Sequence, residues 1–377
     1  MGQKIFVHCP ELAQYPYPNT CPFKTSRAGL TRARLASMGL LAGPDKIEVS
    51  PAPAKREELL YFHTPSYLDA LVRADQGQFE IEMLFMGLGT GDCPVFAGMY
   101  PYAVLAASAT ITAAKWILDG KAETAFNPSG GYHHAFPDRA AGFCYINDVV
   151  LGCETLAQAG KKVLVLDIDV HHCDGVQSAF YTRSDVMTIS LHQDGRTLFP
   201  GTGFVDEIGQ GDGKGYSVNI PLPVGTYDQI YLRAFRQIAV PLIHSFAPDV
   251  IVLEAGADTL AGDPLAGLSL TNNVFVEVIN QLLAFGKPIL AVGGGGYNVE
   301  NTVRAWALVW SALCGRQSQE LSAGLGGVML ENTDLQDGAG LADRAIVADQ
   351  AVRRSVDPLV ERTIEEVKKL IFPLHGL

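Results

Sequence analysis

Short apolar segments with helical patterns between them constrain the fold of this chain more than any other feature. Four such segments are rich in Val, Ile and Leu, and they span residues 162–168, 186–191, 249–255 and 287–292. Runs of this kind are typical of strands that are buried on both faces of a parallel sheet. Helical patterns occupy 227–246 and 272–285, and a weaker strand, 122–127, follows a helical segment at 101–119. The alternation predicts an α/β fold, with a central, largely parallel sheet flanked by helices on both faces.

No internal repeat, low-complexity linker or shift in composition divides the sequence. We therefore expect one domain over residues 1–377, with a core at about 5–315 and a C-terminal extension at about 316–377. Within that extension, 357–371 has the spacing of an amphipathic helix that covers the core, with an oligomer contact as the alternative. The Gly-rich segment 205–220 is expected to form a turn between two short extended pieces at the surface.

The charge and the cysteine content limit the partners and the compartment. A formal net charge of -12 without a basic run disfavours nucleic acid as a direct ligand, because binding phosphates requires clustered Lys and Arg. Seven scattered cysteines without C-x-x-C spacing predict neither a disulfide framework nor a cysteine zinc finger. The N-terminus lacks the apolar core of a signal peptide. Residues 93–114 are uncharged, but Pro94 and Pro101 favour a buried helix over a membrane span. We expect a cytoplasmic protein without a membrane partner.

Polar and Gly-rich segments follow four of the predicted strands. They are G-G-Y-H-H (130–134), D-I-D-V-H-H (167–172), G-A-D (256–258) and G-G-G-G-Y (293–297). In open α/β sheets, ligands bind outside the carboxyl ends of the strands. These segments should therefore bring His, Asp and Tyr side chains to one edge of the sheet.

The segment after the strand 162–168 has the pattern of a metal site. Alternation along an extended strand places Asp167, Asp169 and His171 on one side. Together with Asp258, two carboxylates and one imidazole offer three ligands for Zn²⁺ and leave a position for water, as in catalytic zinc sites. The same ligand types also accept Fe²⁺, Mn²⁺ or Co²⁺. The alternative for D-x-D-x-H is a set of hydrogen-bonded polar residues at a strand end.

The adjacent residues His133 and His134 are candidates for acid-base work. Each disfavours protonation of the other, which separates their titrations and suits base and acid duties near neutral pH. We favour His134 as the general base. Asp167 and Asp174 are candidates to accept the Nδ1 hydrogens of the pair and to fix its tautomers. The alternative is that both histidines are structural, as most histidines are.

The run Gly293–Gly296 is not a phosphate-binding loop, because neither G-x-G-x-x-G nor a following Gly-Lys-Ser/Thr is present. Its glycines permit unusual backbone conformations and lead directly to Tyr297. The Tyr297 hydroxyl can donate to a carbonyl oxygen that develops negative charge. The alternative is a tyrosine that only packs at the rim of the site.

Six motifs together resemble the histone deacetylase family. They are G-G-Y-H-H-A (130–135), G-F-C-Y-I-N-D (142–148), D-I-D-V-H-H-C-D-G-V (167–176), F-P-G-T-G (199–203), G-A-D-T-L-A-G-D-P-L (256–265) and G-G-G-G-Y-N (293–298). Weaker similarity includes F-H-T-P-S-Y-L (62–68) and D-C-P (92–94), and it runs from near residue 5 to about 315. The resemblance implies the arginase-deacetylase fold, a single α/β domain around a central parallel sheet.

The resemblance also implies a catalytic group of zinc ligands, an acid-base histidine pair, the carboxylates that orient the pair and a carbonyl-polarising tyrosine. The zinc ligands would be Asp169, His171 and Asp258, and the acid-base pair would be His133 and His134. The orienting carboxylates would be Asp167 and Asp174, and the carbonyl-polarising tyrosine would be Tyr297. The family binds potassium close to the zinc, partly through backbone carbonyls. The corresponding positions are Asp167, Asp169, His171, Ser190 and Leu191. A second, more distant potassium site would use carbonyls of Phe180, Arg183, Val186 and Tyr216.

For the substrate, the resemblance implies a narrow tunnel that accepts an extended lysine-like chain. Gly142, Phe143 and Phe199 would line this tunnel. Asp92 matches a rim aspartate that holds substrate backbone in peptide deacetylases of the family. Leu265, beside the metal motif, is neutral where a polyamine-selective relative could use an acidic residue.

Two positions depart from the family's pattern. Cys173 stands where glycine is usual, and Glu254-Ala255 stand where many relatives have Gln-Cys or similar. Neither position supplies an expected ligand, so we expect activity to be retained. Cys173 could nevertheless change the loop conformation or the sensitivity to oxidation.

The sequence therefore predicts a zinc-dependent deacetylase that hydrolyses the acetyl amide of acetyl-lysine in peptides or proteins through a metal-activated water, with K⁺ as a second cofactor. A small-molecule amidohydrolase that acts on acetylpolyamines or other acyl amines is the alternative. A catalytically silent metal-binding module is disfavoured, because no expected ligand, histidine or tyrosine is missing. The sequence leaves a homo-oligomer open.

Overall fold

A sheet of eight strands forms the centre of the computed structural model, which describes residues 2–15, 17–315 and 340–377. In chain order the strands are β1 (Gln3–Val7), β2 (Lys46–Val49), β3 (Ala122–Asn127), β4 (Val163–Asp167), β5 (Val186–Gln193), β6 (Ser217–Leu222), β7 (Val250–Glu254) and β8 (Ile289–Val292). Their spatial order is β2-β1-β3-β8-β7-β4-β5-β6, and every neighbouring pair is parallel. The predicted central parallel sheet is confirmed.

Helices flank this sheet and connect its strands. They are α1 (Ser26–Ser37), α2 (Arg56–Leu59), α3 (Pro65–Asp75), α4 (Met99–Leu118), α5 (Asp148–Ala157), α6 (Asp174–Phe180), α7 (Asp228–Ala234), α8 (Val240–Phe246), α9 (Asn273–Leu283), α10 (Val299–Leu313) and α11 (Gln350–Ile371). A π-helical turn, Phe235–Ala239, joins α7 to α8. The helical pattern at 227–246 therefore corresponds to one continuous segment.

Strand β4 shows how the sheet separates two apolar cores. Val163 and Val165 pack on the side of α4 and α5, whereas Leu164 and Leu166 pack on the side of α7 to α10. All four side chains are fully buried. A strand that is buried on both faces needs apolar residues at consecutive positions, and this requirement explains the uninterrupted run that predicted it.

Strand β6 corrects the expected surface turn across 205–220. Ser217–Leu222 is an edge strand beside β5, and all six of its residues are buried because α11 packs against it. Strands β1 and β2 were not predicted at all. In β2 the side chains of Ile47 and Glu48 are exposed, so the strand at the opposite edge of the sheet lacks a continuous apolar run.

Helix α4 is, among the described residues, a helix long and apolar enough to cross a membrane, but 67% of its apolar window is buried inside the fold. It packs along α5 and contributes Ala109, Ala113 and Ile117 to the core on that side of the sheet. The helix agrees with the buried segment expected within 93–114.

Helix α11 covers the core at the C-terminal end of the chain. It begins at Gln350, seven residues before the predicted start at 357, and it buries Val356, Val360, Ile364 and Val367. These side chains belong to the same apolar cluster as β4 and β5. Part of the extension expected from 316, namely 316–339, lies outside the described residues.

Candidate active site

The carboxyl ends of β3, β8, β7 and β4 are adjacent, because these strands are consecutive neighbours in the sheet. Each of the four His-, Asp- or Tyr-containing segments follows one of these strands. A parallel sheet places the ends of its strands at one edge, so the four segments meet there. The candidate active site is built at this edge.

Asp169, His171 and Asp258 come together beyond the ends of β4 and β7. Their ligand atoms lie within 4.8 Å of one another, and all three side chains are buried. His171 Nδ1 is 3.1 Å from Asp169 Oδ1 and 3.0 Å from Asp258 Oδ2. Asp258 Oδ2 accepts no well-aligned hydrogen bond from the described residues. A buried carboxylate oxygen in this state is costly unless a cation binds it, so the group fits a metal ion.

Two glycines allow the ligands to lie this close to the backbone. A Cβ atom at Gly256 would lie 2.0 Å from Asp169 Oδ2, and one at Gly295 would lie 1.8 Å from Asp258 Oδ2. The N–H of Gly295 instead donates to Asp169 Oδ2 at 2.6 Å, and the N–H of Val170 donates to Asp258 Oδ1 at 3.0 Å. These bonds fix the orientation of both carboxylates.

His133 and His134 face each other, with 3.0 Å between their Nε2 atoms. His134 Nδ1 is 2.7 Å from Asp174 Oδ1. His133 Nδ1 is 2.8 Å from Asp167 Oδ2 and 3.0 Å from Glu254 Oε1. One imidazole must donate to the other, and carboxylates accept from both Nδ1 atoms. His133 as a donor at both nitrogens and His134 as the acceptor at Nε2 satisfy every contact.

The surrounding charges separate the proton affinities of the two histidines. Burial opposes a charged His133, but Glu254 and Asp167 raise its pKa well above 6.5. Burial and the charge of His133 lower the pKa of His134 to about 4. Burial beside Asp167 also raises the pKa of Glu254 well above 4.5. The shifts run in opposite directions, so a proton is favoured on His133 over His134. Glu254 stood out in the sequence only as a departure from the family's pattern.

Tyr297 lies beside the metal ligands and keeps its proton. Its ring centroid is 6.3 Å from that of His171 and 5.7 Å from that of Phe143. Burial and the Asp258 carboxylate raise the pKa of Tyr297 well above 10. A neutral phenol can donate a hydrogen bond at neutral pH, which an oxyanion donor must do.

Gly142, Phe143 and Phe199 lie around the approach to these groups. A Cβ atom at Gly142 would lie 2.4 Å from His134 Cδ2 and 2.9 Å from Phe199 Cε1. The Phe199 ring is 4.9 Å from the His134 ring and remains 43% exposed. Phe143 has a φ of 67°, a conformation that non-glycine residues rarely adopt outside constrained sites. Aromatic rings therefore contact both His134 and Tyr297.

Asp92 and Leu265 lie at exposed positions. Asp92 is on the loop before α4 and makes no hydrogen bond or ion pair with another described residue. Leu265 is 37% exposed, and its N–H donates to Asp263 Oδ1 at 2.9 Å. The structure shows a bond that holds Leu265 in place and none that holds Asp92.

The first set of potassium positions lies at and beyond the end of β4 and in the neighbouring strand β5. Asp167 and Ser190 are register partners, and Leu191 follows Ser190 in β5. Ser190 Oγ is 2.8 Å from His192 Nδ1. The second set lies around the start of β5, which begins at Val186. The carbonyl of Phe180 accepts from the N–H of Arg183 at 3.0 Å.

In the same second set, the carbonyl of Tyr216 accepts from the N–H of Thr188 at 2.8 Å. A carbonyl oxygen that accepts one hydrogen bond retains a second lone pair. Both potassium sites stay predictions.

Cys173 does not distort the loop that contains it. It is buried at the N-cap of α6 with a φ of −76°, a conformation open to any residue. Burial raises the pKa of its thiol well above 9.0. Glycine is therefore not required here for backbone reasons, and the protonated thiol is a weak nucleophile.

Two residues that bind the backbone around the histidine pair had only a weak signal in the sequence. Asn147 Nδ2 donates to the carbonyls of His133 and Ala135 at 3.2 and 2.9 Å. Asp148 Oδ1 accepts from the N–H of Tyr132 at 2.8 Å. Both belong to the motif G-F-C-Y-I-N-D, in which sequence analysis assigned roles only to the first two residues.

Arg27 had no signal in the sequence. It is 4% exposed and donates through Nη1 to the Gly296 carbonyl at 2.7 Å and through Nη2 to the Gly294 carbonyl at 3.0 Å. Its guanidinium lies 4.4 Å from the Phe23 ring and 4.9 Å from the Trp306 ring. A single arginine in a helix forms no motif, so only the tertiary structure reveals that it holds the Gly-rich loop.

This arrangement combines a candidate metal site, an imidazole with a lowered pKa and a protonated phenol at one edge of the sheet. These are the groups that metal-assisted hydrolysis of an amide requires. Fold and site therefore define a metal-dependent amidohydrolase.

Known proteins with similar sequences agree with this class. A family model described as histone deacetylase domain matches residues 21–313. The acetoin utilization protein AcuC of Bacillus subtilis (strain 168) is 42% identical over 323 residues, which cover 84% of this chain and 83% of the relative. Histone deacetylase 8 of Xenopus tropicalis is 41% identical over 314 residues, which cover 83% of this chain and 84% of the relative.

A solved structure shows the same fold. The crystal structure of an HDAC homolog from Aquifex aeolicus matches with a TM-score of 0.84 and 34% identity, over 98% of this chain and 100% of the other. The chain belongs to the histone deacetylase family, and its fold is the arginase-deacetylase fold. It is a deacetylase, as the sequence predicted.

Proposed function

We propose that this enzyme uses zinc to hydrolyse the acetyl amide of acetyl-lysine in peptides or proteins. The observation that carries the proposal is the convergence of Asp169, His171 and Asp258 with the base His134 and the donor Tyr297. Two carboxylates and one imidazole are ligands that would hold a catalytic zinc. Fe²⁺, Mn²⁺ and Co²⁺ accept the same ligands, and K⁺ is proposed as a second cofactor.

The chain's own residues account for the proton transfers. When bound, the metal would polarise the acetyl carbonyl and lower the pKa of the attacking water. His134 takes a proton from that water at Nε2, where the proton replaces the hydrogen bond from His133, as the water oxygen bonds to the carbonyl carbon. Asp174 stabilises the imidazolium that forms. Tyr297 donates to the carbonyl oxygen as negative charge develops there.

The same histidine can complete the reaction. The proton returns from His134 to the amine nitrogen, the C–N bond breaks, and acetate and the free amine leave. The positive charge on His133, 3.0 Å away, makes the imidazolium of His134 a stronger acid and favours this transfer.

The rim supports a lysine side chain as the substrate. Leu265 is neutral, so it offers no charge to the second amine of a polyamine, and the exposed Asp92 can accept hydrogen bonds from a peptide backbone. Acetylated small amines are the second candidate, because the name of the AcuC relative refers to the use of a small molecule. A silent metal-binding module is the third and has no missing catalytic residue to support it.

The test compares turnover of acetyl-lysine peptides and N-acetylpolyamines by protein whose zinc content has been measured. We expect a higher kcat/KM for the peptides, loss of activity with a chelator and recovery with zinc. A higher kcat/KM for acetylpolyamines would support the second candidate. Absence of turnover by fully zinc-loaded protein would support the silent module.

A change at the rim sharpens this comparison. Leu265→Glu adds a negative charge that attracts a second ammonium group, so it should shift the preference towards acetylpolyamines. Leu265→Gln is the control of similar shape without the charge. Equal effects of the two substitutions would show that Leu265 does not influence the choice of substrate.

We further propose a cytoplasmic location. Its support is that six buried cysteines, Cys9, Cys21, Cys93, Cys144, Cys153 and Cys173, are free thiols, which suits a reducing compartment. Detection of the protein in fractionated cells tests it, and recovery outside the cytoplasm would contradict it.

A further inference from the structure

The Asp263 carboxylate joins two segments that are far apart in the sequence. Its Oδ2 accepts from the backbone N–H of Tyr297 at 2.7 Å, and its Oδ1 accepts from the backbone N–H of Leu265 at 2.9 Å. Asp263 is 8% exposed, so water competes little for these bonds. One side chain therefore fixes the backbone of the phenol donor and of a residue at the substrate rim.

The surroundings of Asp263 favour this contact. Tyr297 and the N-cap residue Asn298 immediately precede α10, and the N–H groups of both face the carboxylate. Burial raises the pKa of Asp263, and the bonds from the N–H groups of Leu265, Tyr297 and Asn298 oppose that rise. A negative charge at a helix N-terminus is stabilised by the partial positive charge there. Hydrogen bonds from N–H groups to an ionised carboxylate are also stronger than those between neutral groups. Asp263 is thus a firm anchor for Tyr297.

The segment before Tyr297 needs such an anchor. Gly294 and Gly296 have φ values of 120° and 131°, in a region of backbone conformation that glycine enters freely. Local sterics therefore restrict the position of Tyr297 weakly. Other bonds hold the glycines themselves: Arg27 donates to the carbonyls of Gly294 and Gly296, and the N–H of Gly295 donates to Asp169. None of these bonds involves the Tyr297 N–H.

We propose that Asp263 is a positioning residue, which holds Tyr297 where it can donate to the acetyl carbonyl and ties it to the rim at Leu265. It acts through Tyr297 and touches neither substrate nor metal. This inference rests on the proposed function, because it requires Tyr297 to be the carbonyl donor.

The first test measures kcat, KM and zinc content for Asp263→Ala and Asp263→Asn. A displacement of about 1 Å at a catalytic group can reduce turnover about a hundredfold. We expect Asp263→Ala to lower kcat roughly tenfold to a hundredfold, with a smaller change in KM and an unchanged zinc content. Asparagine retains one acceptor oxygen and should restore part of kcat. It also serves as the test if the alanine variant does not fold.

Asp75→Ala is the matched control. Asp75 Oδ1 also accepts from two backbone N–H groups at the start of a helix, those of Gly98 at 2.7 Å and Tyr100 at 3.3 Å. Asp75 contacts neither Tyr297 nor Leu265. We expect a comparable loss of thermal stability and a kcat close to that of the unmodified enzyme. An equal fall of kcat in both variants, or loss of zinc in Asp263→Ala, would overturn the proposal.

The second test combines Asp263→Ala with Tyr297→Phe. If Asp263 acts through Tyr297, its replacement should lower the residual turnover of the Tyr297→Phe enzyme much less than it lowers that of the unmodified enzyme. Additive losses would show an independent structural role. Full activity of Tyr297→Phe alone would contradict the proposed function, whereas an impaired Tyr297→Phe with a fully active Asp263→Ala would contradict only this inference.

Discussion

At the scale of the residue, two adjacent histidines differ because different groups contact them. His133 faces the carboxylates of Asp167 and Glu254, which raise its pKa, whereas His134 faces one carboxylate and a charged imidazole. The net effect lowers the pKa of His134 to about 4. Sequence alone predicted that their titrations would separate and favoured His134 as the general base, but it did not decide which histidine protonates the leaving amine.

The lowered pKa of His134 predicts the acidic limit of activity. A general base works only when neutral, so activity is present above its pKa and is lost as the pH falls through it. With a pKa of about 4 in place of 6.5, we expect kcat/KM to fall only near pH 4 to 5. The measurement is a pH profile on a peptide substrate, corrected for zinc content.

Asp174→Asn provides the control for this profile. Asp174 favours the charged form of His134, so its replacement should leave the acidic limb in place or move it to lower pH. A limb that moves to higher pH in this variant would contradict the assignment of His134 as the base.

The hydroxyl of Tyr297 gives a second prediction at this scale. Tyr297→Phe removes one oxyanion donor and should lower kcat by about 10² to 10³, with normal zinc content. Tyr61→Phe is the control, because Tyr61 is a surface residue that is 43% exposed. Steady-state kinetics on the same peptide measure both, and an unchanged kcat for Tyr297→Phe would exclude the role as donor.

At the scale of the element, glycines in the turns after β7 and β8 leave room for the carboxylates of the candidate metal ligands. Gly256 has a φ of −60° and a ψ of 129°, which alanine adopts without strain, so only the contact of its missing Cβ with Asp169 requires glycine. The sequence showed glycine at this position, but the contact that requires it joins the segments that follow β7 and β4, which are distant in sequence.

Gly256→Ala should therefore weaken metal binding. The new methyl group would displace Asp169, and we expect zinc affinity to fall about 10- to 100-fold, as when the groups that orient a ligand are lost. Competition with a chelator measures this. Gly29→Ala is the control, since a Cβ there meets nothing within 4 Å and the substitution should stabilise α1 by about 0.5–1 kcal/mol. Equal zinc affinity in all three proteins would refute the proposed contact.

At the scale of the whole molecule, the C-terminal helix belongs to the core that supports the catalytic edge. Helix α11 packs against β6 and α7, and Tyr227 Oη donates to Asp357 Oδ1 at 2.8 Å. Because β6 neighbours β5 and β5 neighbours β4, this helix packs two strands away from β4, the strand that leads to Asp169 and His171, and it shares an apolar cluster with that strand.

Ile364→Ala tests this contribution to stability. Ile364 is 2% exposed, and loss of a buried side chain of this size should lower the free energy of unfolding by about 2–5 kcal/mol. Leu359→Ala on the same helix is the control, because Leu359 is 49% exposed and should change stability by less than about 0.5 kcal/mol. Denaturant unfolding compares the two, and equal stabilities would show that α11 unfolds independently of the core.

The central strands and the cluster of candidate metal ligands could be predicted from the sequence because their signals are local. Strands β4, β5, β7 and β8 are buried on both faces, and such strands require continuous apolar runs. The residues that follow them identify the edge where ligands bind. Strand β6 lacked such a run, so its place in the sheet depended on β5 and α11, which are distant in sequence.

The sequence by itself determined the class of fold, the positions of Asp169, His171 and Asp258 and the presence of a histidine pair. Only the tertiary structure decided in which direction the pKa of each histidine shifts and that Asp263 contacts the Tyr297 N–H. The physical reason is that pKa values and hydrogen bonds depend on distances between groups that the chain separates, such as 34 residues between Asp263 and Tyr297. Folding alone brings those groups within the few ångströms over which they act.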